Sequence, residues 1–131
     1  MTKKEIRNLI QSIADVRVTF KREGFYYDDD QCLINVDLTD NDDRGFLRHL
    51  AQVHKCKFVN EFDLIVWSIL HEVGHYFTFD EDDLDNEFND RLALSVCEGA
   101  DEKIQDRYFN LPSEWKATEW AIKYLAQCRR K

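Results

Sequence analysis

His71-Glu72-Val73-Gly74-His75 sets two imidazoles four residues apart with a carboxylate between them. On an α-helix, residues four apart lie roughly 40° from one another, so both rings can reach one metal ion. Glu72, about 100° round from His71, falls off that face and can serve a water held by the same metal. Two nitrogen ligands beside a carboxylate base are the equipment of zinc-assisted hydrolysis, in which the metal activates water and the carboxylate takes its proton. The five residues lie in the apolar run from Phe62 to Phe77. A helix is expected from about Glu61 to Phe79, apolar nearly all round, as a buried helix is.

Two histidines do not complete a catalytic zinc site, because a third protein ligand must leave the fourth position to water. The other histidines, His49 and His54, lie upstream, five apart on a short charged segment, and read as surface positions, with His54 the one that could approach the site. The longer pattern that adds a glycine and a third histidine downstream fails, since Thr78 and Glu81 stand at those positions. A downstream ligand must therefore be an acid or a thiol. In the last helix, Ala117, Trp120, Ala121, Tyr124, Leu125 and Cys128 form one apolar stripe with Glu114 at its edge, so the Glu114 carboxylate points inward and needs a partner. Glu119, about 140° from Glu114, reads as a solvent-facing ion pair with neighbouring lysines. Glu98 falls opposite the inner face that Leu92, Val96, Ala100, Ile104 and Tyr108 would define.

The remaining elements must hold these groups in place. Thr2 and Glu5 make a capping box ahead of Ile6, Leu9, Ile10 and Ile13, which recur at helical spacing. Val16, Val18 and Phe20 alternate with polar residues, as do Cys32, Ile34, Val36 and Leu38, which predicts two strands, with a third at Phe25 to Tyr27. Asp42 or Asp43 could cap a short helix carrying Phe46, Leu47, Leu50 and Val53, and two further helices are expected at about Asn86 to Tyr108 and Pro112 to Cys128. No repeat or low-complexity tract interrupts the chain.

The 131 residues make one domain, 1–131, large enough for a core without staples. Cys32, Cys56, Cys97 and Cys128 are scattered without paired spacing, and Met1 to Glu5 lacks a signal-peptide pattern, so reduced, mostly buried thiols and a cytoplasmic location are expected. The longest apolar run is interrupted by Ser68, His71, Glu72 and His75 and is no membrane span. Net charge is −8, from 26 acids and 18 bases, with acids clustered at 28–30, 40–43 and 80–90. Such a surface repels phosphate backbones and argues against direct nucleic-acid binding. The stretch from Asp80 lacks the glycine of a calcium loop and reads as a solvated acidic loop.

Glu114-Trp-Lys-Ala117-Thr-Glu-Trp120-Ala121 resembles the ExxAxxFA-like segment that follows HExGH in the ImmA/IrrE-like zinc metallopeptidases, small enzymes common in phages and mobile elements. The resemblance covers the histidine helix and the last helix. It implies a zincin-like α+β domain, a small mixed sheet packed on helices around a central HExxH helix. It also places the third zinc ligand on Glu114, beside His71 and His75, with Glu72 as catalytic base. The implied substrate is a protein or peptide, with a transcriptional repressor as the regulatory target. Cys32-Leu33 also resembles the upstream Cys-Leu of peptide deformylases, which would make Cys32 a ligand; the Glu-Gly-Cys-Leu-Ser context and a glycine-rich loop are missing, and Cys32 reads as an inward strand residue. For peptide hydrolysis, the strand from Cys32 to Leu38 could align an extended substrate as an edge strand. Tyr76, Tyr108 and Tyr124 are the candidate oxyanion stabilisers, Tyr124 being better explained as core. A reading of another class is a binding module that keeps the metal site as a structural residue and meets a basic protein partner with its acidic surface.

Overall fold

Thr2 opens the first helix, α1 (Lys3–Ile13), as the capping box predicts: its Oγ1 accepts the Glu5 backbone N–H at 3.1 Å. Ile6 and Ile10 on its inner face are fully buried. The computed structural model describes residues 1–39, 52–95, 107–108 and 110–130. The helix expected around Phe46, Leu47 and Leu50, together with His49, lies outside them, as do Cys97, Glu98 and most of the second half of the helix expected to end at Tyr108. Among the described residues the architecture is mixed α+β, four helices and a small three-stranded mixed sheet.

Three short strands follow α1: β1 (Arg17–Thr19), β2 (Tyr26–Asp28) and β3 (Leu33–Asn35), in the order β1-β3-β2. β3 runs parallel to β1, with Val18 opposite Ile34, and antiparallel to β2, with Tyr27 opposite Ile34. The segment from Cys32 to Leu38 is therefore the centre of the sheet and not its edge; β2 is an edge. Nor is Cys32 an inward strand residue. It sits in the β2–β3 turn at φ 50°, half-buried, with its thiol donating to the Asp15 carbonyl at 3.3 Å. The turn holds a left-handed residue there, and the thiol's hydrogen bond ties it to the α1–β1 connection.

The alternation expected in β3 is hidden because both of its faces are covered. Ile34 and Val36 pack with Ile6, Ile10, Ile69 and Val73. On the other side the fully buried Asn35 amide fastens the 20–25 connection: its Oδ1 accepts from Thr19 Oγ1 at 2.7 Å and Lys21 N at 2.9 Å, and its Nδ2 donates to the Lys21 and Gly24 carbonyls at 2.9 and 2.7 Å. All the amide's capacity is used, which is what makes a buried Asn tolerable.

A 3₁₀ turn (Val59–Glu61) leads into α2 (Leu64–Thr78), the central helix. Its apolar character on all sides has a simple cause: it lies between two clusters. Trp67 and Leu70 face Phe58, Val59, Ala121 and Leu125, while Ile69 and Val73 face α1 and the sheet. The Trp67 indole N–H donates to the Val59 carbonyl at 3.0 Å, joining the 3₁₀ turn to the helix. The last helix, α4 (Pro112–Arg129), starts with proline in its first turn, where no intrahelical N–H is needed, and packs along α2 through Ala117, Ala121 and Leu125. Its stripe ends at Leu125, since Cys128 is exposed. Of the described cysteines only Cys56 is buried.

The acidic stretch expected as a loop is helical. α3 (Glu81–Ser95) begins with Glu81, Asp82 and Asp83 in its first turn, where negative charge suits the helix dipole, and Asp80 Oδ1 accepts the Asp82 N–H at 2.9 Å. Its inward positions are Glu87 and Leu94, whereas Leu92, expected on the inner face, is 56% exposed. No helix among the described residues is long and apolar enough to cross a membrane.

Candidate metal centre

The close approach of α2 and α4 builds the site. Gly74 presents no side chain to α4, and a Cβ placed there would overlap the Ala117 carbonyl and lie 3.0 Å from the Ala117 Cα. With the two backbones in contact at this level, the first turn of α4 carries Glu114 to the histidine face of α2. Glu114 Oε2 lies 2.8 Å from His71 Nε2 and 2.7 Å from His75 Nε2. The two imidazole planes stand nearly perpendicular, centroids 4.8 Å apart. Glu114 and His71 are buried, and His75 is partly open.

The carboxylate and the imidazoles interact by charge and hydrogen bonding. Burial alone would raise the Glu114 carboxyl, but His75 and His71 keep it well below the usual carboxylate range. Burial likewise opposes a charged His75, yet the Glu114 carboxylate lifts its pKa to about 9. His71 has a second partner: Thr118 Oγ1 is 3.0 Å from its Nδ1. A neutral ring that donates Nε2–H to Glu114 Oε2 accepts the Thr118 hydroxyl at Nδ1, whereas a ring holding a metal through Nε2 would donate Nδ1–H to Thr118 Oγ1.

A polar network that the sequence patterns did not signal backs the carboxylate. Arg91 on α3 donates from Nη2 to Glu114 Oε1 at 3.3 Å and to Ser113 Oγ, and from Nε to Glu87 Oε2 at 3.1 Å. Glu87, buried, accepts the Ser113 N–H at 2.7 Å through Oε1 and the Ser113 hydroxyl at 2.7 Å through Oε2. It thus satisfies a free N–H at the start of α4. From sequence alone Glu87 and Arg91 are an ordinary i,i+4 surface pair. Thr118, in contrast, is four residues after Glu114 on the same face, a spacing that could have identified it.

Glu72, 8% exposed, lines a cleft of about 300 Å³ together with His75, Arg91 and Tyr108. Tyr26 and Tyr27 of the edge strand β2 also line it. Of the three tyrosines singled out in the sequence, Tyr108 lines this cleft; burial, and then Glu114, raise its pKa above the ordinary phenol value. Tyr76 packs edge-on against Tyr27, centroids 6.0 Å apart, and Tyr124 stacks on Trp120 along α4.

The other candidate ligands lie elsewhere. Glu119 pairs with Lys123 at 2.8 Å on the surface, as expected. His54 is stacked on Trp115 at 3.7 Å and does not join the triad. Among the described residues, His71, His75 and Glu114 are the group whose ligand atoms converge, all within 4.8 Å of one another.

The donor set suits a small divalent cation. Two imidazole nitrogens and one carboxylate oxygen converge on one side, the cleft lies on the other, and both Glu114 and His71 have outer hydrogen-bond partners that fix their orientation. Neither protein-family models, curated proteins nor solved structures gave a match to this chain.

Proposed function

We propose that this chain is a zinc-dependent metalloendopeptidase with a zincin-like fold, of the ImmA/IrrE-like kind. The observation that carries the reading is the meeting of Glu114 Oε2 with both histidine Nε2 atoms at the wall of a cleft that Glu72 also lines. His71, His75 and Glu114 would hold zinc, which when bound supplies Lewis acidity toward a peptide carbonyl and a water acidic enough to ionise near neutral pH. Glu72 accepts that proton on its carboxylate and returns it to the leaving amine. Thr118 fixes the ring of His71, and Tyr108 lines the cleft wall beside Glu72 and Glu114. The edge strand β2, beside the cleft, offers backbone groups to an extended peptide, a role β3 cannot take at the centre of the sheet. The substrate we infer is a regulatory protein such as a transcriptional repressor.

Cleavage by wild type and Glu72→Gln tests this directly. Zinc-loaded protein incubated with unfolded casein and with candidate repressors should give discrete fragments, and Glu72→Gln should cut roughly 10²–10⁴ times more slowly while keeping its zinc. Equal cutting by the variant would refute the mechanism. If wild type cuts none of these substrates with zinc or manganese, the reading as a binding module for a basic partner becomes the better one.

A further inference from the structure

The two oxygens of Glu114 face different groups. Oε2 is the atom that meets both imidazoles, and Oε1 receives the Arg91 guanidinium at 3.3 Å. Arg91 is in turn fixed from behind, because its Nε donates to Glu87 Oε2 at 3.1 Å and its Nη2 also donates to Ser113 Oγ. Glu87 is buried and anchored to the Ser113 backbone, so the guanidinium is held at both ends between α3 and the first turn of α4. A planar fork with several fixed donors suits this task, whereas a lysine would offer one point charge.

We propose that Arg91 is a positioning residue: by holding Glu114 Oε1 it leaves Oε2 as the single carboxylate atom available to a metal shared with His71 and His75. The inference rests on the metal reading of the triad and deepens it. A carboxylate bound through one oxygen makes three protein ligands in all and suits four-coordinate zinc with one open position. A carboxylate freed from Arg91 can present both oxygens, adding a protein ligand and favouring higher coordination numbers. The α3 helix, which carries no metal ligand in the triad, would thereby set the geometry of the metal.

Cobalt(II) reports this without any assay of activity, since its visible absorbance is strong in four-coordinate sites and weaker as coordination number rises. Wild type, Arg91→Met and Arg91→Lys are titrated with Co²⁺, and zinc affinity is measured by chelator competition. The expected result is a strong four-coordinate spectrum for wild type, with absorbance reduced roughly twofold or more in both variants and zinc affinity lower by about tenfold. Arg91→Met with the wild-type spectrum and affinity would overturn the proposal. Should circular dichroism show that neither Arg91 variant folds, Glu87→Gln, which weakens the rear anchor while keeping Arg91, is read the same way: a reduced absorbance supports the proposal and an unchanged one overturns it. Wild type that takes up no Co²⁺ would instead remove the metal reading itself, and with it this proposal.

Discussion

Gly74 of α2 lies against the backbone of Ala117 on α4, and no side chain fits between them. That contact sets the distance at which Glu114, three residues before Ala117, meets His71, about one turn before Gly74 on α2, and His75, the residue after it. The metal centre is thus a consequence of helix packing as much as of ligand identity.

Gly74→Ala should therefore destabilise the protein. In an exposed helix, alanine for glycine stabilises by up to about 1 kcal/mol. Here the added methyl meets backbone, which cannot rotate away, and overpacking of this kind costs about 1–3 kcal/mol. Urea denaturation should show a lower midpoint and zinc competition a weaker affinity. A midpoint equal to or above wild type would mean that the helices do not approach this closely.

Removing the Glu114 charge should be the most damaging single carboxylate change. Glu114→Gln leaves a buried and a partly buried imidazole with a neutral amide and should weaken zinc binding by roughly tenfold or more, whereas Glu119→Gln, on the surface beside Lys123, should leave it nearly intact. Chelator competition on the two variants distinguishes them, and the reverse order of effects would show that α4 is misassigned in phase.

The legibility of this site in the sequence followed the chemistry of each group. The His71–His75 spacing defines a helix face by itself, and Glu114 is readable because α4 has a clean apolar stripe through Ala117, Ala121 and Leu125 whose edge it occupies. α3 offered no such stripe. Its inward side is built from Glu87, Arg91 and a single buried leucine, Leu94, and its apolar Phe88 and Leu92 are exposed, so hydrophobic periodicity points the wrong way and the acidic run resembles a loop. β3 reads as an edge for a related reason: Asn35 and Asp37 look solvent-facing by type, but their side chains bind the 20–25 connection. Buried polar groups that satisfy one another leave no pattern in a hydrophobicity trace.

The metal-free protein should lose stability on the alkaline side. His75 in the folded state has its pKa lifted from 6.5 to about 9 despite burial, through Glu114, so its contribution is fully present below 6.5 and disappears as pH rises through about 9. Glu114, held below 4.5 against burial by His75 and His71, contributes above 4.5 and loses this as pH falls through its depressed folded value. Between 4.5 and 6.5 both contributions stand. Thermal melts of chelator-treated protein should show Tm falling by roughly 5 °C or more from about pH 6 to about pH 9.5. His75→Gln should flatten that slope; an equal slope in the variant would place its origin in other groups.

Zinc content per chain is the most direct measurement of the central claim, that His71, His75 and Glu114 form one metal centre and Glu72 is not part of it. Wild type, Glu72→Gln and the His71→Ala/His75→Ala double variant are loaded with excess zinc, desalted and analysed for metal. The account predicts about one zinc per chain in wild type and Glu72→Gln and near none in the double variant. Near-zero zinc in wild type, or an unchanged content in the double variant, would contradict it.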